Sequence, residues 1–350
     1  MAAGLAWPGP TSASDAPQFN RPIEAMLSGV VEGYIRPGYA ALADAANALQ
    51  AATVRYCANP SDTTRGAVDE SFQRTVQALG AVAFLDFGPA GINRRLERLK
   101  TPVPSSDGGA AGEEPAPIAG QDGSKSGPED VGALAQESPQ IQGLPAFERL
   151  ILAAPAEPGS DRFIESCRFA GLVAANVKAI STALDSDWAK DGGYGDWLAT
   201  PAADNPAYRR ADAALREVVG TFMRGVSAAE ERLASMRPDA DDGVSGPFDR
   251  QALVILYLRA EVRGLSQFMQ ATDLAEAAQA PASDLASAAG NAAAAAGEAL
   301  AAIELDDGDD LEDDQLEQIA AAAGELEAAR KAASDLLAGL DQGQDGGQDN

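Results

Sequence analysis

From Phe163 to Trp188 the chain places Phe163, Cys167, Ala170, Ala174, Val177, Ser181, Leu184 and Trp188 at alternating steps of four and three residues. Such steps put all eight side chains on one side of an α-helix, and a stripe of this kind is the seam of an up-and-down bundle. The same period returns elsewhere. Tyr39, Leu42, Ala46, Leu49 and Tyr56 form one face, Val68, Phe72, Val76, Leu79 and Val82 a second, and Tyr208, Ala211, Leu215, Val218, Phe222, Leu233 and Met236 a third. Strand-like alternation of β-branched residues is nearly absent, and alanine, the strongest helix former, dominates a hydrophobic fraction of 45%. The fold class read from this pattern is all-α, with two up-and-down helical bundles.

Punctuation divides the chain. Residues 1–21 read as a residual signal peptide or a disordered N-terminus: a short apolar piece, a Pro-Gly break, then small residues from Thr11 to Ala16. The basic and most of the apolar parts of a leader are missing, so the true start is expected upstream. A first bundle is expected over 22–155, with a helix break at Arg36-Pro37-Gly38, a helix capped by Ser61 or Asp62 and a turn at Asp86-Phe87-Gly88-Pro89. Residues 101–140 are rich in Gly, Pro, Ser, Asp and Glu, with hardly an aromatic, and read as a disordered insertion in that bundle. A second bundle is expected over 160–340, and 341–350 is a solvated tail.

Composition excludes several chemistries. There is no histidine, so imidazole catalysis and His-ligated metals are unavailable, and no Gly-x-Ser-x-Gly elbow is present. The 53 acidic residues against 26 basic ones leave a net charge of −27, which repels phosphate backbones, so nucleic acid is not an expected partner. No apolar run reaches the roughly 20 residues of a membrane-spanning helix. The two cysteines, Cys57 and Cys167, would pair as a disulfide in an exported protein and sit as buried small residues in a reducing one. The acidic run from Glu304 to Asp314 departs from EF-hand spacing and reads as a solvated linker.

Several short pieces in a fixed order resemble the imelysin family. They are Arg36-Pro37-Gly38-Tyr39, Cys57-Ala58-Asn59-Pro60, Phe87-Gly88-Pro89 with Asn93-Arg94, Gly143-Leu144-Pro145-Ala146-Phe147-Glu148-Arg149-Leu150, and Glu230-Glu231-Arg232-Leu233 before Arg237-Pro238. The resemblance covers about Pro22 to Gln270. It implies a periplasmic or cell-envelope protein of two helical bundles with a functional site between them, often iron-regulated, and a metallopeptidase label tied to Gly-x-His-x-x-Glu. Here Gly143 and Glu148 match that motif, and Pro145 stands at the histidine position. Phe72 and Leu99-Lys100-Thr101-Pro102 also depart from the family's usual Trp and its Phe-Trp-Pro-Asp-like turn.

The candidate ligand-binding residues are Gly143, Glu148, Asn93 and Arg94, from the pieces that carry the resemblance, and Arg259, Glu261 and Arg263, from charges on an apolar helix. Glu148 is the candidate for any metal or catalytic role, and the cofactor such a role implies is a metal ion, iron or another. Two readings of Glu148 stand side by side: a helix-start carboxylate favoured by unpaired N–H groups, or a buried acid that pairs with Arg94 or holds a cation. Arg259, Glu261 and Arg263 lie on a mostly apolar helix, where they face Glu148 across an interface or lie on the wet side. The function expected is a ligand- or partner-binding protein linked to iron or metal acquisition, its partner a small ligand, a metal or an envelope protein. The alternative is a divergent metal-dependent hydrolase built on Glu148 and other carboxylates.

Overall fold

The computed structural model describes residues 19, 21–103, 128–153, 156–236, 246–304 and 311–345. Among them there is no strand, only one isolated bridge between Phe19 and Ala278. The α-helices are α1 (Ile23–Val30), α2 (Arg36–Ala58), α3 (Asp62–Val82), α4 (Arg95–Lys100), α5 (Val131–Leu134), α6 (Leu144–Phe147), α7 (Asp161–Ala189), α8 (Tyr194–Ala199), α9 (Ala211–Ser235), α10 (Gln251–Ala271), α11 (Leu274–Ala277), α12 (Ala282–Ala302) and α13 (Asp313–Asp345), with 3₁₀ and π-helical turns between some of them. The proposed leader at 1–18, the charges at 305–310 and the last five residues lie outside the described set.

The predicted seams are buried. All eight positions from Phe163 to Trp188 face the core of α7, and the five positions of α3 do the same. On α9 the agreement loosens at its start: the helix begins at Ala211, which is only partly covered, and Tyr208 is buried ahead of it. Ser61 caps α3, its hydroxyl accepting from the Thr64 amide at 3.2 Å while the Thr64 hydroxyl accepts from the Ser61 amide at 3.0 Å.

Two expectations fail for identifiable reasons. The helix does not break at Arg36-Pro37-Gly38. A π-helical turn at Val31–Ile35 joins α1 to α2, and the N–H that Pro37 lacks falls just after this turn, where the Arg36 amide reaches back to the Val31 carbonyl and the regular i−4 ladder is already interrupted. Gly38 is needed for packing, since a Cβ there would stand 2.8 Å from Val82. The last part of the segment expected to be disordered over 101–140 is folded: α5 and a 3₁₀ turn at Pro139–Ile141 occupy it, and Leu134 is fully buried, while 104–127 lie outside the described residues. An apolar anchor of this kind, with Asp130 capping α5 at 2.8 Å, escapes a composition average.

Packing groups α2, α3 and α7 into one bundle and α9, α10, α12 and α13 into another, joined along α3 and α10. α7 follows the break expected at Pro155 to Gly159 yet packs on α2, so the packing crosses the expected boundary. A disulfide between Cys57 and Cys167 ties α2 to α7, with Cα atoms 5.6 Å apart. One apolar core runs through both bundles, and a smaller cluster around Met26, Leu215 and Leu336 closes one end.

Candidate functional site: the junction between the bundles

The motif Gly143 to Glu148 sits where α4, α6 and the start of α10 meet. Gly143 is there for close approach. A Cβ on it would stand 2.4 Å from the carbonyl oxygens of Arg98 and Leu99, so no larger residue fits without moving α4. Pro145 is buried in the first turn of α6, where its lack of an N–H costs nothing. It offers no side-chain donor.

Glu148 opens a π-helical turn, Glu148–Ala153, and is fully buried. Its carboxylate reaches another helix altogether. Oε2 accepts from the Asp249 amide at 3.0 Å, and Oε1 accepts from the Arg250 amide and the Arg250 Nε, each at 3.1 Å. Arg250 is the residue before α10, so Glu148 holds the two amides that lead into that helix and lies at its positive dipole end. Burial raises the Glu148 pKa, and the hydrogen bonds from Asp249 and Arg250 oppose that rise. Beside it Arg149 binds the Asp249 carboxylate at 2.8 Å and the Val103 carbonyl at 2.9 Å. Phe72, stacked on Phe147 at 5.5 Å, meets Phe248 edge-on at 6.0 Å and seals this corner.

A second ionic group lies along the same junction. Arg232 of α9 donates to the buried Glu261 of α10 at 2.5 Å, and its guanidinium lies 5.5 Å from the centre of the Tyr257 ring. Lys100, the last residue of α4, donates to the Ala83 carbonyl at 3.0 Å. Burial pushes the Glu261 carboxyl up, against the pull of Arg232 and Lys100. Burial pushes the Lys100 ammonium down, and Glu261 opposes that. Phe248 connects the two groups, its ring 6.0 Å from that of Tyr257.

Of the residues expected at a site, Gly143, Glu148 and Glu261 come to this junction, and the others do not. Asn93 and Arg94 are exposed with left-handed backbone, and Arg94 pairs with Glu97 three residues on. Arg94 is therefore not the partner of Glu148, which is Arg250. Arg259 donates to the last carbonyls of α12, Leu300 at 2.7 Å and Ile303, as a cation favoured at a helix C-terminus. Arg263 is exposed. Sequence reading missed Lys100, Arg232, Arg250 and Tyr257 as site groups, and also a buried network in which Arg98 donates to Gln142 at 2.5 Å and to Asn176 at 3.0 Å. Asn176 carried a usable signal, a lone amide on the core face of α7.

A metal of the Gly-x-His-x-x-Glu kind does not fit these residues. Pro145 has no ligand atom, both Glu148 oxygens face N–H donors, and among the described residues no three acidic or sulfur side chains converge.

The fold and the junction define an all-α two-bundle protein with a buried ionic seam. The imelysin profile matches residues 35–334, and the chain belongs to the imelysin family. Two solved structures share the fold. An imelysin-like protein from Psychrobacter arcticum 273-4 superposes with a TM-score of 0.60 at 14% identity, over 92% of this chain and 95% of its own. An iron-regulated protein A precursor from Parabacteroides distasonis ATCC 8503 gives 0.59 at 13% identity, over 94% and 97%. No curated protein matches. No helix among the described residues is long and apolar enough to cross a membrane.

Proposed function

We propose that this chain is an exported imelysin-family protein of the cell envelope that binds a ligand or partner in iron or metal acquisition and has no peptidase activity. The observation that carries this reading is the engagement of Glu148. Its carboxylate is held by three N–H donors at the start of α10, and the position where the family motif has histidine holds Pro145. An acid bound in this way is a poor general base and a poor metal ligand, because either role requires it to leave two backbone amides unsatisfied in a buried place. Export is supported by the Cys57–Cys167 disulfide, since such bonds persist in oxidising compartments. The link to iron rests on the fold shared with an iron-regulated protein A precursor.

The test is a digestion assay on the purified chain with an unfolded protein substrate, paired with metal analysis and thermal shift over iron, copper, zinc and calcium. Intact substrate and a shift with iron or an iron complex are the expected results. Cleavage that disappears in Glu148→Ala overturns the reading.

A further inference from the structure

We propose that the Cys57–Cys167 disulfide is a docking and exchange site for a protein dithiol oxidoreductase, which engages Cys57 between the exposed side chains of Val54 and Ile164. The proposal goes beyond the ligand-binding reading above and does not involve Glu148.

Access to the bond is one-sided. Cys57 is half-buried and Cys167 is 9% exposed, so the sulfur within reach is that of Cys57. On the inner side Tyr56 and Phe163, both buried, meet edge-on at 5.7 Å and close the way to the core. Among the described residues the large apolar side chains that stand in water are Val54 at 59%, Ile164 at 60% and Ile92. Val54 and Ile164 each precede a bridging cysteine by three residues, which puts each one turn from its cysteine on the same side of its helix. α2 and α7 run antiparallel, since Cys57 near the end of α2 meets Cys167 near the start of α7, while Tyr39 and Trp188, at the opposite ends, stack at 6.0 Å. The two side chains therefore lie on either side of the bond, one turn away in opposite directions. Single exposed apolar residues are ordinary. Two that bracket an accessible disulfide form an apolar border for a partner that must reach the sulfur.

The chemistry is thiol–disulfide exchange. A thiolate of the oxidoreductase attacks Cys57 Sγ, a new S–S bond forms to Cys57, the bond to Cys167 breaks, and its electron pair leaves on the Cys167 sulfur, which takes a proton from water. The second thiol of the oxidoreductase, deprotonated, then attacks the oxidoreductase's own sulfur in the mixed disulfide and releases Cys57 as a thiolate. The bond of this chain is thereby reduced by two electrons and the partner's dithiol is oxidised to a disulfide; run backwards, the same steps make the bond. Burial makes Cys167 the poorer leaving group of the two. A sulfur that no thiolate can touch cannot be attacked, however, so access sets the order. A small thiol needs only the sulfur. A protein thiol brings its surrounding surface with it and gains by covering Val54 and Ile164, because the centre of a protein contact is apolar. That gain separates a protein partner from a small reductant.

The test uses the oxidised full chain and compares dithiothreitol alone with dithiothreitol plus a trace of thioredoxin, the protein dithiol used as probe, with free thiols followed by alkylation and mass spectrometry. Thioredoxin should speed opening of the bond about tenfold or more. The double variant Val54→Ser/Ile164→Ser, changed only at exposed positions, should melt close to wild type and be opened by dithiothreitol alone at the wild-type rate. Its thioredoxin-dependent rate should fall about tenfold, the scale of withdrawing two apolar side chains from a contact. Thioredoxin lacking its second cysteine should be trapped on Cys57 of the wild-type chain, located by peptide mapping, a result that does not depend on the variant. No acceleration by thioredoxin, an adduct on Cys167, or a double variant opened by thioredoxin as fast as wild type overturns the proposal. Each of those outcomes leaves the ligand-binding reading in place, and proteolysis dependent on Glu148 removes that reading without touching this one.

Discussion

Glu148 shows how a motif residue can keep its place and change its work. As a buried acceptor of three N–H donors it is worth more to stability than a helix-start charge. Glu148→Ala leaves two amides and one guanidinium without an acceptor and should cost about 3 kcal/mol, measured by urea unfolding; a loss below about 0.5 kcal/mol, the level of a surface substitution, would show that the carboxylate is not engaged. Titration gives an independent check. Because burial raises its folded pKa, the native state holds this proton more tightly than the unfolded chain. Its contribution to stability is then full below the ordinary glutamate value of about 4.3 and is lost as pH rises through the raised folded value. Across that window the wild type should lose stability relative to Glu148→Gln, and parallel curves for the two proteins would refute the raised pKa. The family resemblance singled out Glu148 through Gly143, and the sequence left a helix-start charge and a buried acid as alternatives. Its partner was not legible, since Arg250 lies 102 residues away and nothing in the spacing selects it over Arg94.

At the scale of elements, the disulfide and the helix ends separate what holds the bundle from what decorates it. The Cys57–Cys167 bond closes a loop of 110 residues between α2 and α7. By loop-closure entropy, replacing both cysteines with serine should cost about 5 kcal/mol and lower the melting temperature; an unchanged midpoint in reducing buffer would show that the crosslink is redundant with the packing. Two arginines of α10 supply a contrast. Arg259→Ala removes bonds to the last carbonyls of α12 and should destabilise the fold by about 1 kcal/mol, while Arg263→Ala, at an exposed position, should fall within about 0.5 kcal/mol of wild type in the same unfolding assay. The spacing of three and four residues placed both on one helix without telling them apart.

Over the whole molecule, the net charge of −27 makes self-repulsion a standing cost of compactness. Raising the salt concentration from about 0.01 M to 0.15 M shortens the screening length from about 30 Å to about 8 Å, so the melting temperature should rise with sodium chloride. A fall would mean that the surface pairs, such as Arg330 with Glu230, outweigh the general repulsion.

The helical class, the seams of α3 and α7 and a cap at Ser61 or Asp62 were determined by the sequence itself, because each is a local matter: residues three or four apart share a face whatever the rest of the chain does. The run of α1 into α2 past Pro37, the helix at Val131–Leu134, the grouping of α7 with α2, and the pairings of Glu148 with Arg250 and Arg232 with Glu261 were decided only by the tertiary structure. Those depend on how helices cross and which charged groups are shut away from water together. A buried charge takes whichever partner the packing brings within reach, and the distance along the chain has no bearing on that choice.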